Sequence, residues 1–193
     1  MTPALLVLLG YLCGAVPFGV LVTRALAGKD VRAAGSGNIG ASNVARVAGK
    51  KLGALVLALD AFKGVLPVWT AVALAPGEPW VHAAVGAAAF LGHVFPVWLR
   101  FKGGKGVATA LGVLTVLLPW SALAGAAVWA ALVAVTRVAS VGSLAAGVVA
   151  VGVAFGTGAP APYLALAAGL FAAMLWTHRG NLERLWKRQE NKV

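Results

Sequence analysis

Apolar residues run through most of this chain in long intervals that carry few or no charges. Three intervals cover residues 1–23, 52–75 and 80–99, and two longer ones cover residues 107–136 and 138–177. A helix needs about 20 apolar residues to cross the hydrocarbon core of a membrane, so each of the first three predicts one transmembrane helix. We therefore expect an all-α protein that crosses the membrane several times.

Each of the two longer intervals is predicted to contain a break. In residues 107–136 the break falls at Leu118, Pro119 and Trp120, because proline ends a helix and tryptophan favours the membrane interface. In residues 138–177 it falls within residues 156–162, where glycine and proline alternate with small residues. This division predicts seven transmembrane helices.

The basic residues test this count. With seven crossings, 15 of the 16 lysines and arginines lie on one side of the membrane, and Lys63 falls inside the second span. Lysine and arginine concentrate in cytoplasmic loops, so the N-terminus is predicted outside and the C-terminus inside the cell. A single crossing over residues 107–136 would place Arg137 and the later basic residues outside, against this preference.

Composition narrows the class of protein. The chain is 61% hydrophobic and only 11% charged, which excludes an ordinary soluble domain. The net charge of +11 is then mainly a topology signal, and no nucleic-acid partner is expected. The length of 193 residues predicts a single membrane domain over residues 1–193, and the many small residues in the spans favour close helix packing in a monomer.

Two other features of the sequence are informative at its beginning. The first apolar interval has no basic segment before it, so we expect a retained span rather than a cleaved signal. Cys13 is the only cysteine, which excludes an intramolecular disulfide and a cysteine-based metal site.

The polar segment at residues 24–51 is a candidate functional loop. Within it, residues 35–46 combine three glycines with an arginine and four small polar residues: Ser36, Asn38, Ser42, Asn43 and Arg46. Arginine can clamp a phosphate with two hydrogen bonds, and glycine lets the backbone approach a ligand closely. This composition suits an anionic, hydroxylated ligand, and a flexible polar loop is the alternative.

A second segment, residues 92–109, places Gly103, Gly104 and Gly106 directly before the fourth predicted helix. Their backbone N–H groups are expected to form an anion-binding nest at the positive end of the helix dipole, with Lys105 as a point charge. The alternative is a set of ordinary topology charges. The segment is not a Walker A loop, because its glycine spacing differs and Gly106 replaces the magnesium-binding hydroxyl, which disfavours a nucleotide hydrolase.

Two further polar clusters are predicted at the same interface. Residues 136–143 contain Ser140 and Ser143, and residues 178–185 contain His178 and Asn181. Four clusters on one face of a helical bundle predict a site at the membrane surface. Such a site could take a soluble anion from the cytosol and a lipid chain from the bilayer.

These segments resemble the bacterial acyl-phosphate:glycerol-3-phosphate acyltransferases, the PlsY family. The resemblance is carried by SGNIGASNV at 36–44, DAFKG at 60–64, GHVFP at 92–96, FKGGKGVAT at 101–109, and His178 with Asn181. It spans nearly the whole chain in order, and residues 102–109 are highly specific. It implies an inner-membrane enzyme whose cytoplasmic-side site transfers a fatty acyl group from acyl phosphate to the first hydroxyl of glycerol 3-phosphate. The products are lysophosphatidate and inorganic phosphate, in the first step of phospholipid synthesis, and no metal or cofactor is implied.

The resemblance also assigns residues. The expected catalytic residues are Ser36, Arg46, Lys105, His178 and Asn181. The expected substrate-binding residues are Asn38, Ser42, Gly103, Gly104, Gly106, Ser140 and Ser143. Ser36 and Arg46 with His178 and Asn181 resemble glycerol 3-phosphate contacts. The residues that resemble acyl-phosphate contacts are Asn38, Ser42, Lys105 and Ser143, with the three glycines. This chain departs from the family at Ser42, where threonine is usual, and at Gly180, where an acidic residue often stands.

Two pairs of titratable residues need a separate interpretation. His178 and Glu183 nearly match the H-x-x-x-x-D pair of other glycerolipid acyltransferases, but Glu183 is expected to balance a neighbouring arginine instead. Asp60 and Lys63 lie one turn apart inside a span and predict a buried ion pair, with a direct catalytic role as the alternative. With no evident base, we expect a phosphate oxygen of a substrate to accept the hydroxyl proton.

Two other functions compete with acyl transfer. A small membrane transporter for anions such as phosphate esters also uses intramembrane charges, but the sequence shows no internal repeat and its polar clusters lie at one face. An enzyme acting on a polyprenyl phosphate would need acidic residues to hold a metal, and the chain has only five scattered acids.

Overall fold

A computed structural model describes residues 2–192, and every regular element within this range is helical. The prediction of an all-α protein is therefore confirmed. The α-helices are α1 (Pro3–Ala15), α2 (Phe18–Ala27), α3 (Ala41–Ala48), α4 (Lys50–Leu74), α5 (Pro79–Val94), α6 (Val107–Leu117), α7 (Pro119–Thr136), α8 (Ala139–Gly156), α9 (Ala161–Thr177) and α10 (Arg179–Trp186). Short 3-10 turns occur at Val31–Ala33 and Val97–Leu99.

Five stretches among the described residues are long and apolar enough to cross a membrane. They are Pro3–Ala27, Lys50–Leu74, Pro79–Leu99, Pro119–Thr136 and Ala139–Gly156. Helices α9 and α10 together form a sixth candidate, with a bend of 56° between them. Helix α6 is apolar but has only 11 residues, about half of what a crossing needs. Five of the seven predicted spans therefore have the length and composition of a crossing. The seventh does so only if α9 and α10 form one bent span, and the fourth, α6, is shorter than a full span.

The predicted helix breaks agree with the structure, while two features differ from it. Helix α6 gives way to α7 at Leu118, and α8 is separated from α9 by the turn after Gly156. The first span is divided between α1 and α2 at Pro17, which has no N–H to continue the helical bonding. The segment 24–51 is not an irregular loop, because it contains α3, whose Val44 is buried with Val31 and Val56 in a small second core.

The helices pack most closely where a glycine of one helix contacts the backbone of the next. A Cβ at Gly14 of α1 would collide with the Ala89 carbonyl of α5. A Cβ at Gly64 of α4 would collide with the Thr109 carbonyl of α6, and one at Gly112 of α6 would collide with the Ala61 carbonyl. Helices surrounded by lipid associate mainly through such close contacts, because lipid chains are as apolar as the side chains.

This packing gathers the polar segments at one end of the bundle. The residues that precede or begin α3, α6, α8 and α10 line a common cavity, although they are widely separated in sequence. The polar clusters predicted to share one face therefore do so.

The close contact at Gly14 can be tested by adding a single methyl group. We expect Gly14→Ala to lower the midpoint of thermal unfolding in detergent by about 5 °C, because the Ala89 backbone has no room to move aside. Gly152→Ala is the matched control, since a Cβ at this helical glycine of α8 meets no atom within 4 Å. Equal midpoints for the two variants would contradict this account of the packing.

Candidate active site

A polar cavity of about 110 Å³ lies at the end of the bundle where the polar segments meet. The first residues of four helices border it: Ala41 and Ser42 of α3, Val107 and Ala108 of α6, Ala139 and Ser140 of α8, and Asn181 of α10. The N–H groups in the first turn of a helix have no partner within that helix and carry partial positive charge. Four such ends around one cavity favour an anionic ligand.

The structure brings most of the predicted site residues together in this cavity. All five residues of the predicted catalytic set line it: Ser36, Arg46, Lys105, His178 and Asn181. Five of the predicted substrate-binding residues also line it: Asn38, Ser42, Gly106, Ser140 and Ser143. Gly103 and Gly104 are not among the lining residues. The chemical roles of the residues that line the cavity stay predictions, but the structure shows that these residues lie close together.

The anion nest is not formed at Gly103 and Gly104. The Gly103 N–H donates to the carbonyl oxygen of Val94 at 3.1 Å, and the Gly104 N–H donates to that of His93 at 3.0 Å. These donors are therefore used to hold the segment against the last turn of α5. Gly106 does border the cavity; its φ of 83° and its contact with the Phe90 ring both require glycine.

Asn43 organises the segment that precedes α3. Its buried amide nitrogen donates to the carbonyl oxygens of Val31, Ala34 and Asn38, at 3.0, 3.1 and 2.9 Å. Its amide oxygen accepts from the Ser36 N–H at 2.9 Å and from Arg46 Nη1 at 3.3 Å. The sequence suggested that Asn43 supplies hydrogen bonds to a ligand, but its polar atoms are used to shape the loop that presents Ser36 and to bond to Arg46 of α3.

Lys105 is half-buried at the inner wall of the cavity. Its Nζ donates to Asn181 Oδ1 at 2.5 Å, and its carbonyl oxygen accepts from Thr177 Oγ1 at 3.2 Å, a contact that the sequence did not reveal. Burial lowers the pKa of Lys105 to about 8; Glu190 opposes this shift, and Arg184 and Arg46 add to it. A substrate phosphate would favour the charged ammonium.

His178 and Glu183 do not form a catalytic pair. The buried His178 ring has Nδ1 2.8 Å from the carbonyl oxygen of Met174, so Nδ1 is the donor and Nε2 of a neutral ring is free to accept. The Glu183 side chain is 66% exposed and pairs with Lys187 at 2.6 Å. The prediction that Glu183 pairs with a neighbouring arginine is therefore wrong. Its partner is Lys187, which lies one helical turn further along the same face.

The predicted ion pair between Asp60 and Lys63 is confirmed. Lys63 Nζ lies 2.8 Å from Asp60 Oδ1, and each side chain is 3% exposed. Lys63 also donates to the carbonyl oxygen of Val16 at 2.7 Å, where Pro17 interrupts the first span. His93, which sequence spacing did not connect with this pair, places Nδ1 3.7 Å from Asp60 Oδ1.

Glu190 lies outside the sequence motifs, and its carboxylate lines the cavity. It accepts from Ser140 Oγ at 3.1 Å, from Asn181 Nδ2 at 2.5 Å and from Arg184 Nε at 2.8 Å. Nearby, the carbonyl oxygen of Lys192 accepts from Arg46 Nη2 at 3.2 Å. The donors of the cavity are therefore already arranged around a negative charge.

A second cavity, apolar and of about 100 Å³, opens from the first. It runs between α6, α7 and α8 as far as Ser121 and Ala122. The residues shared by both cavities are Leu57, Val107, Ala108, Trp129 and Ser143. A polar cavity joined to an apolar one matches a ligand with an anionic head and a hydrocarbon chain.

Comparison with known sequences agrees with this picture. The profile of the glycerol-3-phosphate acyltransferase family matches residues 4–188. A glycerol-3-phosphate acyltransferase of Myxococcus xanthus (strain DK1622) is 65% identical over 192 residues, covering 100% of both chains. One of Anaeromyxobacter dehalogenans (strain 2CP-C) is 51% identical, covering 98% of this chain and 96% of its own.

Two crystal structures of PlsY, an integral membrane glycerol 3-phosphate acyltransferase, have the same fold. The glycerol 3-phosphate form superposes with a TM-score of 0.95 at 40% identity, and the lysophosphatidic acid form with 0.93 at 38% identity. Each comparison covers 100% of this chain and 96% of the PlsY chain.

The pKa of Lys105 predicts how anion binding depends on pH. The ammonium is present below about pH 8 and is lost as the pH rises through that value, so affinity should fall there. We expect calorimetric titration with sulfate, whose charge is constant over this range, to show weaker binding above pH 8. The Lys105→Arg variant should retain its affinity to higher pH, because arginine stays charged. An affinity of the parent protein that is constant up to pH 10 would contradict this assignment.

Proposed function

This chain belongs to the glycerol-3-phosphate acyltransferase family, and we propose that it transfers a fatty acyl group from acyl phosphate to the 1-hydroxyl of glycerol 3-phosphate. The products are lysophosphatidate and inorganic phosphate, and the reaction begins phospholipid synthesis. One observation supports the substrate pair most directly: a cavity whose donors surround the Glu190 carboxylate opens into an apolar cavity. An acyl phosphate has this combination of anionic head and apolar chain.

Two groups of residues would bind the two phosphates. Arg46 is at the exposed edge of the cavity, and Lys105 is at its inner wall. Because these cations come from different polar segments, each can neutralise a different phosphate. The proposed glycerol 3-phosphate contacts are Ser36, Arg46, His178 and Asn181. The proposed acyl-phosphate contacts are Asn38, Ser42, Lys105, Gly106, Ser140 and Ser143.

The chemistry requires positioning and charge stabilisation more than a strong base. The glycerol 1-hydroxyl oxygen attacks the acyl carbon, the bond between that carbon and the phosphate oxygen breaks, and a substrate phosphate oxygen accepts the hydroxyl proton. Lys105 and the helix N-termini stabilise the negative charge on the departing phosphate. The Glu183 carboxylate faces Lys187, and Asp60 is buried against Lys63, so neither is placed to take the proton.

Product formation and kinetics test this function. Inorganic phosphate should be released from acyl phosphate only when glycerol 3-phosphate is added, and initial rates should follow a sequential mechanism. A transporter would bind glycerol 3-phosphate without releasing phosphate. Glu183→Gln should keep kcat within about tenfold of the parent, because it removes basicity and keeps shape. Ping-pong kinetics, or an acylated serine trapped with acyl phosphate alone, would overturn the direct transfer.

The acyl chain would occupy the apolar cavity. Trp129 lies at its junction with the polar cavity, and Ala122 lies two turns earlier in α7, near its far end. These residues are about 10 Å apart along the helix axis, at a rise of about 1.5 Å per residue. The far end therefore sets how much of a chain can be accommodated.

Filling the far end should change the preferred chain length. We expect Ala122→Leu to lower kcat/KM for a 16-carbon acyl phosphate about tenfold relative to that for an 8-carbon one, because the longer chain meets the new side chain. Ala127→Leu is the control, since this residue of the same helix is exposed and does not line the cavity. An equal loss for both substrates would show that the acyl chain lies elsewhere.

The proposed topology has seven crossings, of which the short α6 is the fourth. The distribution of basic residues supports an N-terminus outside the cell and a C-terminus inside it. In this proposal the active site lies on the cytoplasmic side of the bacterial inner membrane, and the enzyme is a monomer.

Reporter fusions test this orientation. After Val193, a reporter that works only in the cytoplasm should be active, and one that works only outside should be inactive. At Gly77 the reverse result is expected. These positions lie on opposite sides in the proposed topology because Gly77 is in the turn between α4 and α5. A periplasmic signal from the fusion after Val193 would reverse the orientation.

A further inference from the structure

We propose that the buried cluster of Asp60, Lys63 and His93 positions Lys105 for acyl transfer, with His93 as the positioning residue. This inference rests on the proposed function. It gives a role to the DAFKG and GHVFP motifs, which the substrate contacts do not use. His93 acts through the backbone of Gly104, the residue immediately before Lys105.

His93 holds Gly104 in two ways. Its carbonyl oxygen accepts the Gly104 N–H at 3.0 Å, and its imidazole ring lies where a Cβ of Gly104 would be. Any rotation of the ring would therefore move the segment that carries Lys105. On the other side of this segment, Thr177 Oγ1 donates to the Lys105 carbonyl at 3.2 Å. The Lys105 backbone is thus held between α5 and α9.

Asp60 and Lys63 lie beside the His93 ring. Asp60 Oδ1 lies 3.7 Å from His93 Nδ1 and 2.8 Å from Lys63 Nζ, and Lys63 is itself held by the Val16 carbonyl at 2.7 Å. All three side chains are 3% exposed. Close contact between Gly64 and Thr109 keeps this part of α4 beside the first turns of α6. The cluster therefore joins α4 and α5 directly behind the Lys105 segment.

Stability alone is a poor reason for such a cluster. Buried charges have a large desolvation cost, and well-packed apolar residues often stabilise a protein equally well. Ionisable residues inside membrane spans generally serve a function. Asp60 and His93 also line the wall of the polar cavity that contains Lys105. Their position at the cavity wall indicates that they maintain the site.

The variant His93→Gln tests the positioning role, with His82→Gln as its matched control. His82 lies near the other end of α5, is 4% exposed, and bonds to Tyr163 Oη at 2.8 Å and the Ala75 carbonyl at 2.9 Å. Both variants are expected to lower the unfolding midpoint. Only His93→Gln should lower kcat/KM per folded enzyme, by about 10- to 100-fold, because small misplacement of a catalytic group has effects of this size.

A double-mutant cycle separates positioning from general destabilisation. In a Lys105→Ala background, His93→Gln should change kcat/KM by less than about twofold, since the group that it positions is absent. Asp60→Asn, which keeps the side-chain shape, should reproduce the loss in the parent and lose its effect in the Lys105→Ala background. Equal losses in both backgrounds, or unchanged kcat/KM in His93→Gln, would overturn the inference. If the parent enzyme showed no acyl transfer, that result would instead overturn the proposed function.

Discussion

Close backbone contact between α4 and its neighbours is the constraint on which the site depends. Gly64 and Gly112 allow α4 and α6 to touch without intervening side chains, and Gly14 does the same for α1 and α5. In a membrane this contact is the main source of helix association, because burial from lipid gives little hydrophobic gain. It also places Asp60 beside His93 and brings the beginning of α6 to the polar cavity.

The cavity shows how an anion site can be built with few charged groups. Four helix N-termini, Lys105 and Arg46 surround it, and Asn43 fixes the loop that carries Ser36 and bonds to Arg46. Fixed dipoles in a poorly solvated site stabilise developing charge more effectively than the same groups in water. The adjoining apolar cavity would allow a lipid-soluble donor and a water-soluble acceptor to meet at one place.

Lys105 is held by contacts on two sides. From behind, His93 and Thr177 hold its backbone through Gly104 and its own carbonyl. In front, Asn181 bonds to its ammonium, and the same amide bonds to the Glu190 carboxylate. The first arrangement would determine where the charge lies during transfer.

The sequence by itself determined the helical membrane class, the breaks at Pro119 and after Gly156, and the catalytic candidates. Hydropathy, proline and contiguous motifs are local properties, so they can be read without knowing which segments meet. Only the tertiary structure decided that α6 is short and that the Gly103 and Gly104 donors bond to α5. It also decided that His93 faces Asp60 and that Glu190 enters the cavity. These features depend on distances between residues far apart in the chain, and the packing of helices across glycine contacts sets those distances.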